Sequence, residues 1–327
     1  MPLLASSAHR PSAFLFNGHL QTIIPSTLRR VPNVHYHRER LELPDGDYVD
    51  MDWSLAGTEP AGKLGIISHG LEGDSSRPYV RGMARALNQA GFDVLAWNYR
   101  GCGGETNRLL RSYHLGDTGD LASVIQHAIV AKGYEDVYLT GFSAGGNVTL
   151  KYLGEDAAKV PPQICRAAVF SVPTDLKASS LKISRWQNQV YLRRFLASLR
   201  NKMREKAAHL PGQLDVSELE KLRNFPQFDE RYTAPLHGFE SADAYYAYSA
   251  SGRYLSGIRV PTLLVNALND PFLAPTCYPH AAAKASEYLY LETPAAGGHV
   301  GFAEGTPNGD YYSERRAVDF FTRAVPG

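Results

Sequence analysis

Ser143 sits in Gly141-Phe142-Ser143-Ala144-Gly145, a G-x-S-x-G pentapeptide entered from the apolar run Asp136–Thr140 and left through Gly146-Asn147 into a helical pattern. Strand, sharp turn and helix in that order form a nucleophile elbow, which holds a serine hydroxyl clear of the backbone. Glycine is needed at 141 and 145 because a Cβ at either place would strike the neighbouring strand or helix. A serine hydroxyl is a poor nucleophile at neutral pH, so it requires a histidine base and an acid that fixes the base's tautomer. Where an elbow serves a parallel sheet, the chain order is serine, acid, histidine. Asp270, in Val265-Asn-Ala-Leu-Asn-Asp270-Pro271-Phe272, directly follows an apolar strand, which puts it at the sheet's carboxyl edge beside the elbow. His299 follows the strand Tyr288–Leu291 on the loop Gly297-Gly-His-Val-Gly-Phe302, whereas His209, His237 and His280 fall in an insertion or a helix. A tetrahedral intermediate also needs two N–H donors. One is expected from Ala144, at the helix N-terminus. The other is expected from Leu71, in the turn His69-Gly-Leu-Glu-Gly73, where His69 precedes the nucleophile and is read as holding the loop.

These residues need a sheet to bring them together. Short apolar runs at Leu64–Ser68, Asp93–Asn98, Asp136–Thr140, Ala167–Ser171, Thr262–Ala267 and Tyr288–Leu291 have the length and β-branched or aromatic content of buried parallel strands. Tyr79–Ala90, Asp117–Ala131, Gly146–Gly154 and Tyr311–Ala324 carry apolar residues at three- and four-residue spacing. The alternation predicts a mostly parallel α/β sheet with helices on both faces. Val34–Leu43 and Tyr48–Leu55, joined through Pro44-Asp45-Gly46-Asp47, predict an antiparallel hairpin at its edge.

That rhythm stops over residues 174–257, which are read as a helical cap inserted into a core formed by 1–173 and 258–327. Lys182–Leu210 reads as helical and strongly basic, with Trp186, Val190 and Phe195 in an apolar stripe expected to pack on the core or wall the acyl pocket. Its basic residues are expected to face water or an anionic interface.

With those residues in view, the chain resembles the YheT-like α/β-hydrolases nearly end to end. The resemblance is carried by Asn17-Gly-His-Leu-Gln-Thr22, His69–Gly73, Asn98-Tyr-Arg-Gly-Cys-Gly-Gly-Glu105, Tyr113-His-Leu-Gly-Asp-Thr118, Gly141–Asn147, Asn269–Phe272 and Gly297–Phe302. The family includes bacterial esterase-like proteins, yeast medium-chain ethyl ester synthases and animal abhydrolase-domain lipid hydrolases. The resemblance implies the α/β-hydrolase fold and a Ser143, Asp270, His299 triad acting on acyl esters. Membrane-bound animal members carry an N-terminal anchor, and integral membrane association is not expected to carry over to this chain.

Composition removes several other classes. The 327 residues are 44% apolar, 11% aromatic and 20% charged, those of an ordinary globular protein. With 34 Lys and Arg against 33 Asp and Glu, the net charge of +1 supplies no general field for nucleic acid. Cys102, Cys165 and Cys277 form no C-x-x-C pair or disulfide framework and are read as free thiols in a reducing, cytoplasmic setting. The start Met-Pro-Leu-Leu-Ala lacks a signal-peptide core, and Pro11–Leu28 is too polar to span a membrane. His35 and His37 lie on one strand face without the further ligands a zinc site needs, and Arg100–Glu105 lacks the order of a phosphate-binding loop. Neither a metal nor a cofactor is expected. The leading expectation is hydrolysis of small-molecule, short- to medium-chain acyl esters. The alternatives are acyl transfer to an alcohol through the same acyl-enzyme, a serine peptidase, and a non-catalytic ligand-binding protein.

Overall fold

The computed structural model describes residues 3–4, 7–12, 14–58 and 61–324. Met1, Pro2 and Ala5, part of the start on which the absence of a leader was read, lie outside the described residues. The chain opens with helix α1 (Gly18–Thr27) and the antiparallel pair β1 (His37–Glu42) and β2 (Tyr48–Ser54). Then follow β3 (Lys63–Ser68), α2 (Pro78–Gln89), β4 (Asp93–Asn98), α3 (Thr118–Gln126), β5 (Asp136–Phe142), α4 (Ala144–Glu155) and β6 (Ile164–Phe170). These join β7 (Thr262–Val265) and β8 (Leu289–Glu292) in one eight-stranded sheet of order β1-β2-β4-β3-β5-β6-β7-β8. Strands β3 to β8 run parallel, while β2 meets β4 antiparallel, so the hairpin forms one edge as its turn sequence implies.

Strands buried on both faces explain the unbroken apolar runs, since each face is covered by its own helix layer. Leu64, Ile66, Leu139 and Val169 pack with Leu121, Val148 and Leu153 of α3 and α4. On the other face Ile67, Phe142, Ala168 and Val265 pack with Val80, Met83 and Phe320 from α2 and the last helix. The central position of β5, between β3 and β6, delivers the elbow to the middle of the sheet's carboxyl edge.

Strands β6 and β7 are parallel partners, with Ala167 opposite Thr262, so the chain between them leaves at that same edge and crosses back to enter β7 at the opposite one. It contains α5 (Leu176–Ile183), α6 (Gln189–His209), the short helices α7 (Phe225–Phe228) and α8 (Ala234–Leu236), and α9 (Ala242–Ser249). Helices α10 (His280–Ala285) and α11 (Tyr312–Thr322) complete the chain. The segment expected as one helix over 182–210 is two, because Ser184 ends α5 and the extended backbone of Arg185, ψ 157°, redirects the chain into α6. Leu192, Leu196 and Met203 of α6 build a separate small core with Leu219, Phe225, Phe228 and Tyr232.

The expected basic outer face is also incomplete. Lys206 is buried and donates from Nζ to Asn107 Oδ1 and the Leu109 carbonyl, each at 2.6 Å. Lys182 and Lys202 turn inward as well, leaving Arg185, Arg193 and Arg194 exposed. Trp186, placed by its spacing in the apolar stripe, is 81% exposed. An aromatic residue in the turn between two helices follows neither helix's buried face.

Candidate active site

The backbone of Ser143 has φ 52° and ψ −115°, a strained conformation for a residue with a side chain. The crowding that imposes it can be read at the glycines. A Cβ on Gly141 would lie 2.7 Å from the Gly145 carbonyl oxygen, and one on Gly145 would lie 2.2 Å from that of Ser68. Gly146, not singled out by the pentapeptide, is equally fixed, since its Cβ would meet Val172 Cγ2 at 2.4 Å. Six described non-glycine residues have positive φ, and five of them, Glu72, Ser143, Ser171, Val300 and Phe302, lie at this centre. Backbone strain concentrated in this way marks a functional site.

The loops after β5, β7 and β8 bring Ser143, Asp270 and His299 together. His299 Nε2 lies 2.8 Å from Ser143 Oγ and its Nδ1 lies 2.8 Å from Asp270 Oδ2. A carboxylate only accepts, so Nδ1 donates to it and Nε2 is left to accept the serine hydroxyl proton. Asp270 is buried, and its second oxygen accepts the Phe272 N–H at 2.8 Å. The Phe272 ring packs on the imidazole with centroids 4.2 Å apart. Leu71 and Ala144 border the same cavity as Ser143, and Ala144 opens α4, so its N–H is among the amides the helix leaves unpaired.

Side chains outside the three loops fasten them, and residue spacing gave no sign of these. Gln21 of α1 accepts at Oε1 from the Gly297 N–H (2.8 Å) and Asn269 Nδ2 (2.9 Å). Thr22 Oγ1 accepts the His299 N–H at 2.9 Å, and Ser171 Oγ accepts the Val300 N–H at 2.8 Å. From α5 and the turn before α6, Lys182 Nζ donates to the Asp270 carbonyl at 3.0 Å and Asn188 Nδ2 to the Pro271 carbonyl at 2.9 Å. Burial lowers the Lys182 ammonium from its usual value, while Asp270 pulls the other way. The one available signal for the α1 contacts was the Asn17–Thr22 motif.

Glu72, the residue after Leu71, was also missed. Its Oε1 accepts from the Tyr113 hydroxyl at 2.7 Å and lies 3.0 Å from Lys202 Nζ, and its other oxygen accepts from Ser198. Two residues of α6 therefore grip the loop that carries Leu71. His69 supports the same loop from below, with Nδ1 facing the Gly70 carbonyl at 2.8 Å and Nε2 accepting the Tyr99 N–H at 3.3 Å. Burial brings its imidazole down to about 4, and it is neutral at pH 7. Cys102 receives Lys202 Nζ at 2.8 Å, yet burial pushes the thiol up to about 11, leaving it protonated at neutral pH. His35 and His37 are exposed, and no cluster of three or more His, Cys, Asp or Glu suited to a metal occurs among the described residues.

Two chambers meet at Ser143. The inner one, about 1000 Å³, is bordered by Leu176, Ile183, Phe195, Leu199, Phe225 and Phe228. The outer one, about 1300 Å³, lies between α1 and α6 and is bordered by Thr22, Ile23, Val190, Arg194, Phe195 and His299. Of the three stripe residues expected to pack or to line a pocket, Phe195 borders both chambers and Val190 the outer one. Trp186 borders neither.

The α/β hydrolase fold family matches residues 66–306. Over 322 residues the chain is 33% identical to YheT of Escherichia coli (strain K12), covering 97% of this chain and 94% of that protein. The chain is a YheT-like α/β-hydrolase. Among its relatives, medium-chain fatty acid ethyl ester synthase/esterase 2 of Saccharomyces cerevisiae (strain ATCC 204508 / S288c) is 28% identical over 403 residues, covering 99% of this α/β-hydrolase and 87% of the yeast protein. The Pyrococcus furiosus esterase Pf2001 has the same fold, with a TM-score of 0.58 at 17% identity over 91% of this chain and 99% of that one. Among the described residues of this α/β-hydrolase, no helix is long and apolar enough to cross a membrane.

Proposed function

We propose that this carboxylic ester hydrolase cleaves short- to medium-chain acyl esters through Ser143, His299 and Asp270. Ser143 Oγ attacks the acyl carbonyl while His299 Nε2 takes its proton and then returns it to the departing alcohol. Asp270 holds the tautomer and stabilises the imidazolium without itself taking the proton. The Leu71 and Ala144 amides receive the oxyanion, and water delivered by the same imidazole releases the acid. The observation that carries this reading is the continuous hydrogen-bonded chain from Ser143 through His299 to buried Asp270. Residues 174–257 act as the cap and 1–173 with 258–327 as the core. The apolar inner chamber takes the acyl chain and the outer chamber the alcohol. The reaction requires no cofactor or metal, its partner is a small-molecule ester, and its setting is the cytoplasm.

A second reading, transfer of the acyl group to an alcohol, is favoured by the outer chamber opening on Ser143 and by the yeast relative's name as both synthase and esterase. Product analysis with added ethanol separates the two. For the triad, a fluorophosphonate probe is expected to label Ser143, and Ser143→Ala to lose activity by several orders of magnitude with its fold intact. Asp270→Asn and His299→Ala are each expected to be severely impaired, and their combination no worse than the poorer single variant. Labelling at another serine, or additive losses, would overturn the assignment.

A further inference from the structure

Three separate segments leave large apolar side chains in water, and one of those residues, Val190, borders the outer chamber. Phe16 is 80% exposed, Trp186 81%, Val190 73% and Leu268 57%. They are neighbours because the segments that bear them are pinned together. A Cβ on Gly18 would lie 2.1 Å from the Asn269 carbonyl oxygen, the His19 ring stacks on Tyr191 at 5.8 Å, and Asn188 donates to the Pro271 carbonyl. The patch is thus built on the segment before α1, the start of α6 and the loop leading to Asp270. An isolated exposed leucine needs no explanation, but four such residues on converging segments mark an interaction site.

Charge identifies the partner. Residues 176–204 contain eight Lys and Arg and no Asp or Glu. The inward-turning lysines of this stretch already have polar partners, whereas Arg185, Arg193 and Arg194 are exposed and join no ion pair among the described residues. An interfacial tryptophan beside aliphatic residues and arginines is the composition that inserts into an anionic lipid surface, where apolar side chains enter the acyl boundary and guanidinium groups meet head groups. We infer that this face, formed by Phe16, Trp186, Val190 and Leu268 with Arg185 and Arg193, docks the enzyme on an anionic lipid surface with the outer chamber opening toward the lipid. An amphiphilic ester would then reach Ser143 without crossing water. Only this last consequence rests on the proposed catalytic reading; the docking itself does not.

Trp53 and Trp97 are buried, so a change in tryptophan emission on binding reports Trp186. Vesicles of equimolar phosphatidylglycerol and phosphatidylcholine are expected to shift the emission to the blue and to carry the protein in flotation, with pure phosphatidylcholine much weaker. Partitioning should fall roughly tenfold in Trp186→Ser and about fivefold in each of Arg185→Gln and Arg193→Gln, and it should weaken with salt. All three variants should keep parental turnover of a water-soluble short-chain ester. Ser143→Ala should bind as the parent does, so that a failure of the catalytic assignment leaves this test standing. Absent vesicle binding, unchanged emission, or binding indifferent to Trp186→Ser would overturn the inference. A parent dimer that Trp186→Ser converts to monomer would replace lipid with a second copy as the occupant.

Discussion

Gln21 lies in the N-terminal helix, far in sequence from every catalytic candidate, and its replacement by alanine is expected to damage turnover more than substrate binding. Its side chain is 3% exposed and makes three hydrogen bonds, accepting from Gly297 and Asn269 and donating to the Leu15 carbonyl at 2.6 Å. Alanine leaves the Gly297 N–H buried without an acceptor and frees the loop two residues before His299. At about 1 kcal/mol per lost bond, with an unpaired buried donor costing at the high end, stability falls by about 3 kcal/mol. An unfolding entropy of about 2.1 cal/mol/K per residue converts this into a Tm lower by ~4 °C for a chain of this length. Loosening the base by a fraction of an ångström is expected to lower kcat by about 10- to 100-fold, with KM changed little because Gln21 does not border either chamber. The assay is steady-state hydrolysis of p-nitrophenyl butyrate at a temperature where both proteins are fully folded, beside thermal unfolding. Parental kcat with the lower Tm would show that Gln21 supports the fold alone and would refute its role in holding His299.

Phe195→Ala should alter the ratio of kcat/KM between short and medium acyl esters by the ~1–3 kcal/mol that a pocket-wall change commands, whereas Trp186→Ala should leave that chain-length profile unchanged. A profile altered equally by both would show that the exposed tryptophan does reach the substrate. Lys202→Met would leave the buried Glu72 carboxylate without its cation, and a loss of several kcal/mol in unfolding free energy with reduced kcat is expected. Lys202→Arg should recover part of both. His69 is neutral when folded, with its value lowered to about 4 against 6.5 unfolded, so its favourable contribution is complete above pH 6.5 and is lost as pH falls toward 4. The loss is on the order of 3 kcal/mol. Urea midpoints between pH 7 and 4 should fall less steeply in His69→Gln, which retains the other buried, lowered histidines His9, His114 and His237.

The positions of β3 to β8, the edge hairpin and the elbow were legible in the sequence because each depends on local signals: apolar runs, turn residues and glycine spacing. The place of Ser143, Asp270 and His299 was legible for a related reason. Each lies in the connection that follows a strand, and parallel strands send their following connections to one edge, so succession along the chain becomes proximity in space. The break between α5 and α6 was not, since helical spacing continues through Ser184-Arg185 and only the docking of α6 on its own small core shows where the axis turns.

The fate of individual side chains was decided by tertiary structure alone. Lys182, Lys202 and Lys206 read as a solvated basic face, yet they became partners of the Asp270 carbonyl, Glu72 and Asn107, because backbone carbonyls and carboxylates from distant segments converge there. Trp186 had the spacing of a core residue and ended in water. Gln21 and Thr22 became supports of the histidine loop through contacts spanning more than 270 residues. Periodicity describes which side of an element is apolar, whereas the acceptor that meets a given donor is fixed only when non-local segments pack.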